Sequence, residues 1–264
     1  MKEKVGLSLI IIVTTYLLLT GLVAVFSSIS LYIGYVTTVI VYLVISILML
    51  IENRNLQEFN IDRLSIFILI LSSFFRRRLG IENEWYFLFI IGLAGVLLFV
   101  SLVLNWRRLP KTNFKWLTIS IITALIILIP ITLIEFLQKI IFIQVNEYNA
   151  PSKYGLLLDI LQKTIYNLSF NAPIEEILFR AFFMGILKKM KWDSTKIFLT
   201  QGGLFWVSHI GKIVESPLTF FISIPILTYT VSKLAKESQQ ISPSIISHLI
   251  VNTLSSILLT YIAS

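Results

Sequence analysis

Residues 5 to 51 contain no charged side chain. That is enough apolar chain for two membrane spans of about 20 residues each, and a turn near Ser27 to Gly34 makes them a helical hairpin. The rest of the chain follows the same pattern. Only 14% of its 264 residues are charged, 56% are hydrophobic, and the charges gather between long uncharged runs. A soluble domain is nearer a quarter charged. The expectation is an all-α, polytopic membrane helical bundle of about eight transmembrane or membrane-embedded helices, in which nothing alternates as a strand does.

The polar stretch 52–63 must lie outside the hydrocarbon, and 64–80 reads either as an interfacial helix or as a short span, since it ends in Arg76, Arg77 and Arg78. Residues 85 to 106 form a span with tryptophan at both ends, and a further span covers about 116 to 137, with Glu135 near its end. A more polar connection at 138–153 divides the chain. Residues 1–153 form an amino-terminal set of transmembrane helices, and 154–264 a helical core with helices near 154–168, 173–191, 196–211, 217–235 and 241–262. Asn171 and Pro173 serve as start signals for the second of these helices. Ser242 and Pro243 do so for the last.

Lys and Arg number 22 against 14 acids, a formal charge of +8. Most of the basic residues flank apolar runs, so they read as membrane-interface anchors and not as a nucleic-acid surface. Arg76 to Arg78, Arg107 to Lys115 and Lys188 to Lys196 do not all fall on the cytoplasmic side under every span count, so the positive-inside rule is in partial conflict with itself. With no cysteine, disulfides, thiolate metal sites and cysteine nucleophiles are excluded. No cleaved signal peptide is expected, because the first apolar stretch outruns a signal peptide's short core.

A charge at the middle of a membrane helix costs roughly 2.5 to 3.5 kcal/mol on insertion scales, so such residues face a bundle interior or a water-filled cavity. The carboxy-terminal helices hold a small set of them: Glu175, Glu176, Arg180, His209, His248 and Asn252. His209 and His248 are the chain's only histidines. Either one alone reads most simply as a core imidazole satisfied by neighbouring backbone. Both together, beside a glutamate pair, point to proton chemistry.

Spacing sorts the roles. Glu176 and Arg180 lie four apart on one helical face, acid first, the better order for an ion pair. Glu175 is rotated about 100° from Glu176, which leaves it the carboxylate free for chemistry. His248 and Asn252 are again four apart and can aim two donors at one point. Phe205 shares a face with His209 and is expected to orient it. A carboxylate in an apolar pocket gains basicity from desolvation and, with an imidazole, can deprotonate a water aimed at a carbonyl. The other His and the Asn can hold the resulting oxyanion. Glutamate with two histidines is also a zinc-ligand set, although no zincin signature is present.

The order "EEILFR", "FWVSH" and "HLIVN" resembles the signatures EExxxR, FxxxH and HxxxN of the CAAX-protease and bacteriocin-processing family of intramembrane proteases, also called Abi proteins. The resemblance covers roughly residues 170 to 255. It implies about eight helices around a conical cavity and a peptidase activity of the kind that trims prenylated C-a-a-X proteins, with bacterial relatives in bacteriocin immunity and maturation. Carried over, Glu175 and His209 activate water, His248 and Asn252 supply the oxyanion site, and Glu176 and Arg180 support them. No metal or other cofactor is expected, zinc being the alternative. The abundance of Ile, Lys and Asn points to an AT-rich bacterial genome. The expected setting is therefore a bacterial cell membrane, with lipids around the chain and a peptide or membrane-anchored protein as substrate. Two other readings stay open: a non-catalytic bacteriocin-immunity protein, and, ranked last, a proton-coupled transporter.

Overall fold

The computed structural model describes residues 113–141 and 172–262, together with isolated positions between 36 and 167. Every element among the described residues is helical. Helix α1 is Phe114–Ile141. Helix α2 (residues 172–189) starts as Ala172–Glu176, passes through a π-helical stretch Ile177–Phe183 and closes as Met184–Lys189. Helix α3 is Ser194–Ser208 and α4 the short Lys212–Glu215. Helix α5 (residues 219–238) opens with a π turn, Thr219–Ser223, and continues as Ile224–Ser238; α6 is Ser242–Ile262. The all-α expectation holds across these residues. The expected span at 85–106 lies outside them, as do most of 5–51 and 154–168, and with them the count of eight helices.

Local chemistry sets the helix ends. Helix α3 begins two residues before the expected 196 because Asp193 Oδ1 accepts the N–H groups of Thr195 and Lys196 at 3.0 and 2.9 Å. It ends three residues before the expected 211, with His209 as its cap at φ −99°. Helix α5 runs three residues past the expected 235 and stops where Gln239 takes a left-handed φ of 55°. Pro173 and Pro243 sit second in α2 and α6, where a missing N–H costs nothing.

Two helices, α1 over Phe114–Gln138 and α6 over Ser242–Leu259, are long and apolar enough to cross a membrane. Their surroundings differ. Helix α1 exposes Ile122, Ile126 and Ile129 on its outer face, whereas most of α6 is buried. Helix α1 packs along α6 and against α5, through Ala124, Ile127 and Ile131 on one side and Leu227, Val231 and Val251 on the other. Gln138 of α1 also accepts the Leu218 N–H at 2.7 Å, which satisfies a free donor at the start of α5. Helix α2 is the most enclosed element. All seven residues of its π stretch are buried, in a core shared with Phe205, Phe220 and Ile245. Ile66, from the segment 64–80, is fully buried in that same core.

Candidate active site

The site lies where α2, α3 and α6 meet, and it begins with the two adjacent glutamates. Their divergence around the helix separates them as expected: Glu176 is completely buried, while the Glu175 side chain keeps 19% of its surface exposed. Glu176 Oε1 stands 3.4 Å from Arg180 Nη1, the ion pair that the four-residue spacing predicts. The spacing did not reveal its closer partner. His248 Nδ1 lies 2.7 Å from the same oxygen, across 72 residues of chain. A carboxylate only accepts, so the Nδ1 proton of His248 is donated to Glu176, and the ring turns its Nε2 edge toward Glu175 Oε2, 3.7 Å away.

His209 is oriented by its own helix end. Its Nδ1 is 2.8 Å from the carbonyl oxygen of Phe205 and 3.1 Å from Ser208 Oγ, whose hydroxyl donates to that same carbonyl at 2.6 Å. A carbonyl cannot donate, so Nδ1 carries the proton, and in the neutral form of this tautomer Nε2 is the acceptor. That nitrogen is 3.9 Å from Glu175 Oε1. Phe205 thus orients His209 as expected, but through its main-chain carbonyl as well as its ring, whose centroid lies 4.6 Å from the imidazole.

The Phe205 ring does more than was expected of it. The Arg180 guanidinium lies over it at 4.1 Å, Phe179 meets it edge-on at 5.1 Å, and His248 approaches edge-on at 6.3 Å. A cation held over an aromatic face away from water gains about 2 kcal/mol or more. This ring therefore helps to hold a charge that the apolar surroundings disfavour. The carboxyl end of α3 is tied down in turn by Trp206, whose indole N–H donates to the Phe220 carbonyl at 2.9 Å in the π turn of α5.

Asn252 lies one turn beyond His248 on α6, half-buried, and its side chain makes no hydrogen bond to another described residue. Gln201 and Ser232 are among the buried polar residues that escaped the sequence reading. Gln201 of α3 donates to Ser232 Oγ of α5 at 2.7 Å, and Arg180 Nε donates to the same hydroxyl at 3.3 Å. A glutamine inside "LTQGG" was a signal, but lone amides and hydroxyls are ordinary in membrane helices, where they bond across interfaces.

The 3.7 and 3.9 Å gaps around Glu175 are too long for direct hydrogen bonds and are of the length that a bridging water fills. Glu175 and His209 Nε2 both accept, so one water can donate a hydrogen to each. Among the described residues no group of three or more His, Asp or Glu side chains is placed to hold a metal ion.

Residues 158–254 match the family model described as type II CAAX prenyl endopeptidase Rce1-like, which takes in every residue of the site. No curated protein and no solved structure matches the chain.

Proposed function

We infer, from the match of residues 158–254 to the type II CAAX prenyl endopeptidase Rce1-like family model, that this chain is an intramembrane endopeptidase in which a glutamate and a histidine activate water. The observation that carries the reading is the convergence on Glu175 of two imidazole edges, 3.9 and 3.7 Å from its two carboxylate oxygens.

In the proposed reaction a water donates one O–H to Glu175 Oε1 and the other to His209 Nε2. As its oxygen bonds to the scissile carbonyl carbon, its proton passes to the carboxylate. The oxyanion is met by N–H groups of Asn252 and of His248, the latter protonated on Nε2 while its Nδ1 proton stays with Glu176. Two carboxylates and one guanidinium leave one negative charge in the site, which the His248 imidazolium cancels. When the C–N bond breaks, Glu175 returns the proton to the leaving amine. No metal takes part in these steps.

The proposed substrate is a hydrophobic or lipid-anchored peptide, of the bacteriocin-precursor or leader kind in a bacterial cell membrane, or a C-a-a-X-like carboxyl end as the family description implies. The test uses the purified chain in phosphatidylcholine vesicles with two internally quenched peptides, one farnesylated and ending in C-a-a-X, the other hydrophobic and unprenylated. The expected result is cleavage of at least one in H2-18O, with a single 18O in the new carboxylate. Intact peptides beside folded protein would overturn the reading.

A further inference from the structure

Four buried hydrogen-bonded or ion-paired links run from α3 to the site. Gln201 Nε2 donates to Ser232 Oγ at 2.7 Å, and Arg180 Nε donates to that oxygen at 3.3 Å. Arg180 Nη1 then stands 3.4 Å from Glu176 Oε1, which receives the His248 Nδ1 proton at 2.7 Å. Gln201, Ser232, Arg180 and Glu176 expose nothing to solvent, and His248 exposes 1%. The links join four helices, α3, α5, α2 and α6. Only Glu176, Arg180 and His248 belong to the three sequence signatures.

We propose that Ser232 and Gln201 are positioning residues for the reaction, which set the orientation of His248 by fixing how the Arg180 guanidinium is turned toward Glu176. This rests on the protease reading above. The physical argument concerns one degree of freedom. Stacking on Phe205 at 4.1 Å fixes the plane of the guanidinium but leaves rotation within that plane. Two anchors at different edges of the fork, Ser232 at Nε and Glu176 at Nη1, remove that rotation. The Ser232 hydroxyl is itself held by the Gln201 amide, so the anchor on α5 is no freer than the helix it faces. With the fork fixed, Glu176 Oε1 is held between a cation and an imidazole N–H, and Nε2 of His248 stays aimed at Glu175. Neither Ser232 nor Gln201 is placed to touch substrate. Their effect passes through Arg180 and Glu176.

Because the chain has only two histidines, 15N-imidazole labelling gives two ring spectra, and His209 serves as an internal control. In the full-length protein in detergent, Ser232→Ala is expected to shift the hydrogen-bonded Nδ1 proton of His248 upfield and to leave the His209 signals in place. Gln201→Leu should shift it in the same direction by less. Ser232→Thr, which keeps the hydroxyl, should restore the wild-type position. Should Ser232→Ala not fold, Gln201→Leu decides alone. A wild-type His248 spectrum in the folded variants overturns the proposal, and so does an equal movement of both rings, which would mark general loosening. In the cleavage assay the same variants should lower kcat about tenfold with KM unchanged, and in an Arg180→Ala background they should have no further effect. If the wild type cleaves neither peptide, the protease reading fails while the imidazole spectra still decide whether these residues position His248.

Discussion

At the scale of single residues, the site depends on burying charge in matched pairs. Arg180 and Glu176 are both fully buried, so removing either leaves the other uncompensated, at a cost of about 3–5 kcal/mol. Arg180→Leu is therefore expected to lower the thermal unfolding midpoint sharply in detergent, whereas Glu175→Gln, at a partly exposed carboxylate, should leave it nearly unchanged. Similar midpoints for the two variants would contradict this assignment. The different settings of Glu175, partly exposed, and Glu176, buried in an ion pair, were legible in the sequence, because helical rotation separates neighbours by about 100° and the i, i+4 spacing marks an ion pair. The bond from Glu176 to His248 was not. Periodicity along one helix carries no information about which face of another helix it meets. Gln201 and Ser232 were hidden for the same reason, each being an ordinary polar residue until the helices pack.

Helix-scale behaviour turns on ends and close approaches. The Asp193 carboxyl caps α3, and the backbone N–H of Lys196 foremost, with those of Thr195 and the Lys196 side chain, holds its pKa below the usual carboxylate value. A depressed folded pKa means that the cap stabilises fully above the unfolded value of about 4 and that this stabilisation is lost as pH falls through the lower folded value. Protection of the first-turn amides of α3, relative to their intrinsic exchange rates, should therefore fall on acidification below about pH 4 in the wild type. In Asp193→Ala that protection should already be low at neutral pH and lack the acid-dependent step. Boundaries of α3 and α5 were read from the sequence to within three residues, and the misses fall at Asp193, His209 and Gln239, where a side-chain cap or a left-handed residue decides the end. The π stretch in α2 was not legible at all, since its seven residues look like any apolar helix.

Gly202 offers a second test at this scale. A Cβ there would come 3.3 Å from Thr228 Cγ2, tighter than ordinary packing, while alanine is intrinsically favoured over glycine in a helix by roughly 1 kcal/mol. Gly202→Ala should therefore be close to neutral alone and stabilising in a Thr228→Ser background that removes the methyl. Stabilisation of equal size in both backgrounds would show that the α3–α5 approach is not tight.

For the whole molecule, the membrane setting gives the polar cluster its meaning. Lys188 at the end of α2 reaches Gln239 at the α5–α6 turn, and both are exposed, as groups at a membrane surface are. Glu175 lies thirteen residues earlier on α2, roughly 20 Å along a helix from Lys188. A carboxylate among apolar helices needs polar partners, and two imidazole edges stand beside this one. The membrane class was the most legible property of the chain, because lipid imposes long uncharged runs. The substrate was the least legible, because none of the candidate site residues encodes it. Since the proposed activation of water by Glu175 and His209 uses no metal, EDTA or 1,10-phenanthroline is expected to leave the cleavage rate unchanged. Loss of activity that zinc restores would contradict the metal-free account.

The most direct test of water activation by Glu175 is a single-turnover comparison of wild type and Glu175→Gln in vesicles, with membrane insertion verified for both. The account predicts a fall of about 10²- to 10⁴-fold in the rate of bond cleavage, the size of a lost general base. A Glu175→Gln rate within a few-fold of wild type would contradict it.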